Sequence, residues 1–292
     1  MTQADFDGEE DQTTSAPPKG SVRTRRHSFT EWLLIGLVVL YAGALLLGPL
    51  LAIAWGAMSQ GLAIFLQEIS TEKALSALKL TLMMGAGATA INTVFGLCVA
   101  FVLARPEFRG RRFINALVDL PFAVSPVVAG LMLILLFGRN GWFTPITERL
   151  GIKMVFAWPA MLIATTFVSL PFVIREVIPV LTQVGTQQEN AAYTIGANGW
   201  QTFWHVTLPS IRWGLLYGVS LTMARALGEF GAVLVVSGGV SGLTETSTLF
   251  IFRSLDDRNP VAAYAMAMVL ALISFSMLML MEFFKKRTRE TG

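Results

Sequence analysis

The chain is poor in the residues that carry soluble chemistry: of its 292 residues one is cysteine, two are histidine and only 14% are charged. The lone Cys98 cannot close an internal disulfide, and no second thiol supplies zinc or redox spacing. It lies in an apolar run, so it is expected to be a small buried hydrophobe. His27 and His205 stand apart from each other. No Ser–His–Asp set, His-Glu-x-x-His pair or intramembrane carboxylate pair can be assembled, so neither catalytic residues nor metal ligands are assigned. A glycine-rich phosphate loop with a following lysine is also missing, so the chain has no such means of holding ATP itself. A charged fraction well below the roughly 25% of soluble domains excludes a water-soluble enzyme.

What is abundant is apolar surface. Hydrophobic residues make up 54% of the chain, and mean hydropathy is +0.61. About 20 apolar residues cross a bilayer as a helix. Uncharged stretches of that order begin at Trp32, Leu80, Phe113 (across Asp119), Met154 and Val261. A further run, Trp213 to Val236, is interrupted only by Arg225 and Glu229. The strict alternation of a membrane β-barrel is not visible. The expectation is an all-α membrane protein with six transmembrane helices.

Residues 1–31 mix acidic, Gln, Ser, Thr and Pro residues and read as a disordered cytoplasmic tail. The apolar run behind it is too long for a signal-peptide core, so it reads as an uncleaved first span. Residues 32–73 then hold the first helix and an outer segment, 74–281 the core, and 282–292 a basic cytoplasmic tail. With the N-terminus inside, inner segments carry 14 Lys and Arg against 7 in outer ones. That bias places both termini in the cytoplasm. The basic C-terminal tail is a topology anchor rather than a nucleic-acid patch.

Several polar or small residues inside the apolar runs need an account. Arg225 and Glu229 are four apart, on one face if the helix is continuous. Each would cost about 2.5–3.5 kcal/mol facing lipid at the helix centre. They either pair to lock helix packing or line and gate a solute path. Pro121 and Pro126 break the third run around Ser125, as a kink or where a path is lined. Asp119 before the break reads as a surface residue or a cap for the helix that follows. Gly214, Gly218, Thr222 and Ala226 repeat every fourth residue, which suits close helix approach.

The inner loop 175–212 is patterned rather than disordered. Gln188 to Ala197 is helix-like, Gly199 breaks it, and Trp200 to Leu208 gathers Phe203, Trp204, Val206 and Leu208 before Pro209. These apolar residues either pack on the protein's own helices or dock on a partner.

Asn190-Ala-Ala-Tyr-Thr-Ile-Gly196, nine residues, then Val206-Thr-Leu-Pro209 resembles the Glu-Ala-Ala loop of bacterial ABC importer permeases. Asn190 stands where that family has Glu, and Glu189 precedes it. Asp119-Leu-Pro-Phe-Ala-Val-Ser-Pro-Val-Val-Ala-Gly-Leu131 is similar to W-type sulfate/thiosulfate permeases. Ala224-Arg-Ala-Leu-Gly-Glu-Phe-Gly-Ala232 is shared with molybdate and tungstate permeases. The resemblance implies a type I, MetI-like permease fold, with 74–281 as its core and 175–212 as its coupling loop. It implies a non-catalytic subunit for sulfate/thiosulfate import in a bacterial inner membrane. The implied assembly adds a related T-type permease, two cytoplasmic ATPase subunits that bind ATP and Mg, and a periplasmic sulfate-binding protein. ATPase coupling would fall to Glu189, Asn190, Ala191, Ala192, Gly196, Ala197, Phe203, Val206, Leu208 and Pro209. A path or gate would involve Ser125, Pro126, Arg225 and Glu229. A molybdate/tungstate permease is the neighbouring alternative, and a stand-alone secondary anion transporter the alternative of another class.

Overall fold

The computed structural model describes residues 29–104 and 108–289. The described residues are helices and connecting turns, without a strand. The chain divides into two compact units at Gly48–Pro49. The described part of the first is residues 29–48, the N-terminal portion of α1 (Phe29–Met58). In the second unit α2 (Leu62–Ile69) leads to α3 (Glu72–Ala104). A first bent pair follows, α4 (Arg111–Ala123) and α5 (Pro126–Phe137), then short α6 (Thr144–Arg149) and long α7 (Trp158–Val184). Next come α8 (Gln187–Thr194), α9 (Gly199–Thr202), a π-helical turn (Phe203–Thr207) and α10 (Leu208–Leu227). The chain ends with α11 (Gly231–Ser237), α12 (Ser247–Asp256) and α13 (Pro260–Arg289).

Helices α1, α3, α7 and α13 are each long and apolar enough to cross a membrane. The other two expected spans are not continuous. The α4–α5 pair turns by 109° and the pair ending in α11 by 54°, so the total is four, or six if each bent pair counts as one crossing. The first break has a local cause. Pro126 cannot donate a backbone hydrogen bond, and Val124 before it is extended, at φ −94° and ψ 130°. In the second, Gly228 ends α10 and Glu229 turns back to cap α11.

Within the second unit, α3, α7 and α10 form the central packing group. Small residues set their spacing. A Cβ on Gly218 would lie 3.1 Å from Val173 Cα, and one on Gly214 only 2.6 Å from Val180 Cγ2. On α3, a Cβ on Gly96 would meet Val173 at 3.2 Å. Association between membrane helices rests on such close packing and on interhelical polar contacts. Asn92 supplies the polar contact: fully buried on α3, it donates to Thr166 O at 3.0 Å and Ser169 Oγ at 2.9 Å on α7. Because Val173 Cα is backbone and cannot swing aside, Gly218→Ala should destabilise by about 1–3 kcal/mol, the usual range for overpacking. A lowered Tm in detergent checks this; an unchanged Tm would show that α7 and α10 can separate without cost.

Cys98 departs from expectation. It is exposed on α3, on a face shared with Ile91, Phe95 and Val102. In a membrane helix the outward face is apolar too, so an apolar sequence neighbourhood does not mark burial. Most of the expected inner segment 175–212 is helical: α7 continues to Val184, α8 spans Gln187–Thr194, and helix begins again at Gly199 and runs into α10. The basic segment 282–292 is helical as far as Arg289, as a continuation of α13. Residues 1–28 of the expected N-terminal tail lie outside the described residues, and Phe29 already opens α1.

Candidate functional site: an elbow at one end of the bundle and a junction of two breaks

At one end of the second unit α7, α8 and the helix that begins at Gly199 form an elbow. Its turn is built from local hydrogen bonds. Gly196 adopts φ +92°, a conformation that glycine reaches without penalty. Ala197 N–H then donates to Ala192 O at 3.0 Å and Gly196 N–H to Tyr193 O at 3.0 Å, closing α8. Asn198 starts the next helix with a reciprocal cap: its Oδ1 accepts from Gln201 N–H at 2.8 Å, and Gln201 Oε1 accepts from Asn198 N–H at 2.9 Å.

Pro209 does not end this helix. Its ring would clash with the carbonyl four residues earlier in a regular α-helix. The chain widens to a π turn over Phe203–Thr207, with Leu208 N–H donating to Phe203 O, and continues as α10. The segment from Gly199 to Leu227 is therefore one helix with a local bulge.

The two acidic or amide candidates on α8 part company. Glu189 is buried, and its Oε1 accepts from Thr207 Oγ1 at 2.8 Å. It ties α8 to the π turn and faces inward. Asn190 is exposed, one position on and turned outward. Ala192, Thr202 and Thr207 are buried beneath. Phe203 packs on Phe101 of α3, with ring centroids 5.7 Å apart, and on Trp200 and Trp204. Ala191, Ala192, Val206 and Pro209 line an open groove with Ile195 and His205. Leu208 and Ala197 are half-buried beside it. Sequence reasoning passed over Ile195, which is 88% exposed at the elbow's tip. Tyr193 and Trp200 beside it are exposed too, as is Trp204, which the sequence already grouped with the loop's apolar residues. Their signal was available: large apolar residues flanking a glycine in a short loop.

Away from the elbow, the two broken helices meet at their breaks. A Cβ on Gly231 would lie 3.0 Å from Pro126 Cβ, and one on Gly130 only 2.7 Å from Ala232 O. Beside this contact Arg225 Nη1 lies 2.8 Å from Glu229 Oε2. The two are not on one continuous helix, as the spacing suggested, because α10 ends at Leu227. They pair across its end. Glu229 Oε1 also accepts from Ala232 N–H at 2.9 Å, and Glu229 O accepts from Thr248 Oγ1 at 2.8 Å. The carboxylate thus joins α10 to α11, and the Glu229 backbone carbonyl ties the turn to α12. Pro126 is half-buried in the contact, and Ser125 is exposed at the first break.

A second ion pair was not foreseen. Asp119 on α4 neither caps α5 nor stands alone at the surface; its two carboxylate oxygens accept from Arg175 of α7, Nε to Oδ1 at 2.9 Å and Nη2 to Oδ2. Phe122 and Phe172 stack edge to face alongside, 5.4 Å apart. Fifty-six residues separate the partners, so no local spacing rule could pair them.

Residues 92–290 match the family described as Binding-protein-dependent transport system inner membrane component. The chain belongs to this family. The matched region takes in the elbow and both breaks. Among curated relatives, the Sulfate transport system permease protein CysW of Synechococcus elongatus is 50% identical over 255 residues, 87% of this chain and 89% of the relative. CysW of Escherichia coli K12 is 44% identical over 250 residues, 86% of each chain. CysT, a sulfate permease of the same bacterium, is 38% identical over 244 residues, 84% of this chain and 88% of the relative. Among solved structures, a bacterial ABC transporter importing the acidic polysaccharide alginate aligns with TM-score 0.73 at 16% identity, covering 88% of this chain and 96% of that one. The MetNI methionine ABC transporter aligns at 0.56 and 18% identity, over 73% and 94%. Family members of this kind are translocation subunits of multi-pass inner-membrane transporters; the fold is that of type I importer permeases.

Proposed function

We propose that this chain is the membrane-spanning permease subunit of an ATP-driven importer that carries sulfate, and thiosulfate with it, into the cytoplasm. Identity of 44–50% to sulfate permeases over most of the chain is the observation that carries the substrate reading. The partners follow from the same likeness: a T-type permease, two ATPase subunits that bind ATP and Mg, and a periplasmic sulfate-binding protein. The elbow faces the cytoplasm in this reading, with both termini on the same side.

Mechanically, the exposed apolar tip at Ile195 and the groove beside Pro209 seat in the ATPase. Asn190 contributes an uncharged contact where the Glu-Ala-Ala loop it resembles has Glu. Glu189 holds the elbow rigid from within, so closure of the ATPase pair is passed to α7 and α10. The junction of breaks at Pro126 and Gly231 is where rigid helices give way to turns, and it is the region that gates the path. A dianion must leave as readily as it enters, so directed hydroxyl and N–H donors suit the path better than a cluster of fixed cations. Ser125 is such a donor, and Arg225 is already neutralised by Glu229.

The test is uptake of labelled sulfate into proteoliposomes holding the assembled importer, with ATP on the ATPase side. Uptake that needs ATP and binding protein, and is displaced by thiosulfate better than by molybdate, is expected. Preferential displacement by molybdate would reassign the substrate. Uptake by this chain alone would overturn the permease reading.

A further inference from the structure

The turn that joins α3 to α4 places positive charge where a helix favours negative charge. Arg109, Arg111 and Arg112 fall within four residues, and with Phe108 and Gly110 they line one concavity. Gly110 turns the chain at φ +101° and stands at the N-cap of α4. Arg111 N–H is used inside the turn, donating to Phe108 O at 3.2 Å. No side chain caps the helix, and its first turn holds no acidic residue. The start of a helix carries about half a positive charge, so cations there are unfavourable and an anion is favoured. Among the described residues none of the three guanidinium groups has a carboxylate partner.

One apolar feature continues from this cradle. Phe113, Leu117 and Leu120 follow at helical spacing along α4, and all three are exposed. The buried residues of α4, Val118 and Pro121, lie elsewhere on it. A phosphate at the arginines and acyl chains along the stripe would satisfy both features at once; a free phosphate would use only the first. The cradle belongs to the elbow end of the bundle, since Phe101 and Ala104 at the close of α3 line a cavity with Glu189.

We infer that Arg109, Arg111, Arg112 and the open N-terminus of α4 form a seat for the phosphate of an anionic lipid headgroup, with Phe113, Leu117 and Leu120 holding its chains. Placing that lipid in the cytoplasmic leaflet rests on the orientation proposed above.

The experiment is native mass spectrometry of the assembled importer from bilayers of phosphatidylcholine with phosphatidylglycerol. The chain is compared with Arg109→Gln/Arg111→Gln/Arg112→Gln and with Arg139→Gln/Arg149→Gln/Lys153→Gln, three exposed residues outside the cradle, as a charge-matched control. Each arginine near an anionic surface contributes about a fivefold preference, so the triple variant should retain phosphatidylglycerol on the order of a hundredfold less tightly. The control should retain it fully. If the triple variant does not assemble, Arg109→Gln/Arg112→Gln should still show on the order of a twentyfold loss. Equal retention by variant and wild type would overturn the seat. So would displacement of the lipid by millimolar inorganic phosphate, which indicates a free-phosphate site. Loss of the ATPase subunit with lipid retained would assign the arginines to a protein interface instead. Labelling of Ile195→Cys in a Cys98→Ser background from each side of the membrane reads orientation separately, so failure of the orientation is not mistaken for failure of the seat.

Discussion

Replacing Glu229 by alanine is expected to be among the most damaging single changes in this chain. The carboxylate side chain is 2% exposed and its partner Arg225 31% exposed. Removing one member of a buried ion pair costs about 3–5 kcal/mol, because the remaining charge stays in a poor solvent. The partial exposure of Arg225 places the expected loss near the lower end, about 3 kcal/mol. Ala232 N–H loses its acceptor as well. Glu229→Gln keeps an oxygen for that N–H and should lose less. Arg225→Ala/Glu229→Ala removes both charges and should be more stable than Glu229→Ala alone. Thermal unfolding and the yield of assembled complex read all three. If Glu229→Ala unfolded with the wild type, the carboxylate would not be what joins α10 to α11.

The second large effect lies at the opposite kind of site, one with nothing beneath it. Ile195 is so exposed that Ile195→Asp should leave the Tm of this chain unchanged. In the assembled importer it should weaken ATPase binding by about 2 kcal/mol or more, roughly thirtyfold, the loss expected when an apolar anchor is replaced at the centre of an interface. Pull-down of the ATPase at graded concentration measures it. Gly196→Ala reports on the same elbow by another route: no atom stands in the way of a Cβ, but the residue sits at φ +92°. The strain of a left-handed alanine, about 1–2 kcal/mol, would loosen the turn and reduce ATP-driven uptake. Normal binding and uptake in both variants would separate the elbow from coupling.

The contrast between these two sites shows what could be read in advance. Periodicity and charge located the membrane-crossing segments, because a bilayer demands long apolar runs whatever their partners. The elbow was legible from Gly196 and Pro209, whose backbone limits act locally. Continuity was not. Nothing in the run from Trp213 to Val236 states that Glu229 leaves the helix, since the turn is held by Ala232 and Thr248 on other elements. Asp119 looked like a surface residue or a cap because its partner is on α7. Glu189 and Asn190 could not be ranked until burial showed which one faces Thr207. Cys98 failed for the reason peculiar to membranes: inward and outward faces are both apolar, and only small residues such as Gly96 and Gly218 mark the inward one.

In the proposed importer the elbow is the handle by which a separate ATPase moves this bundle. The most direct measurement is cross-linking in the assembled importer from Ile195→Cys, in a background where Cys98 is serine. A disulfide-length cross-link to the ATPase subunit, with yield that changes when ATP binds, is the predicted result. A cysteine at 195 reachable only from the outer face, or sulfate uptake that persists with no ATPase attached, would contradict it.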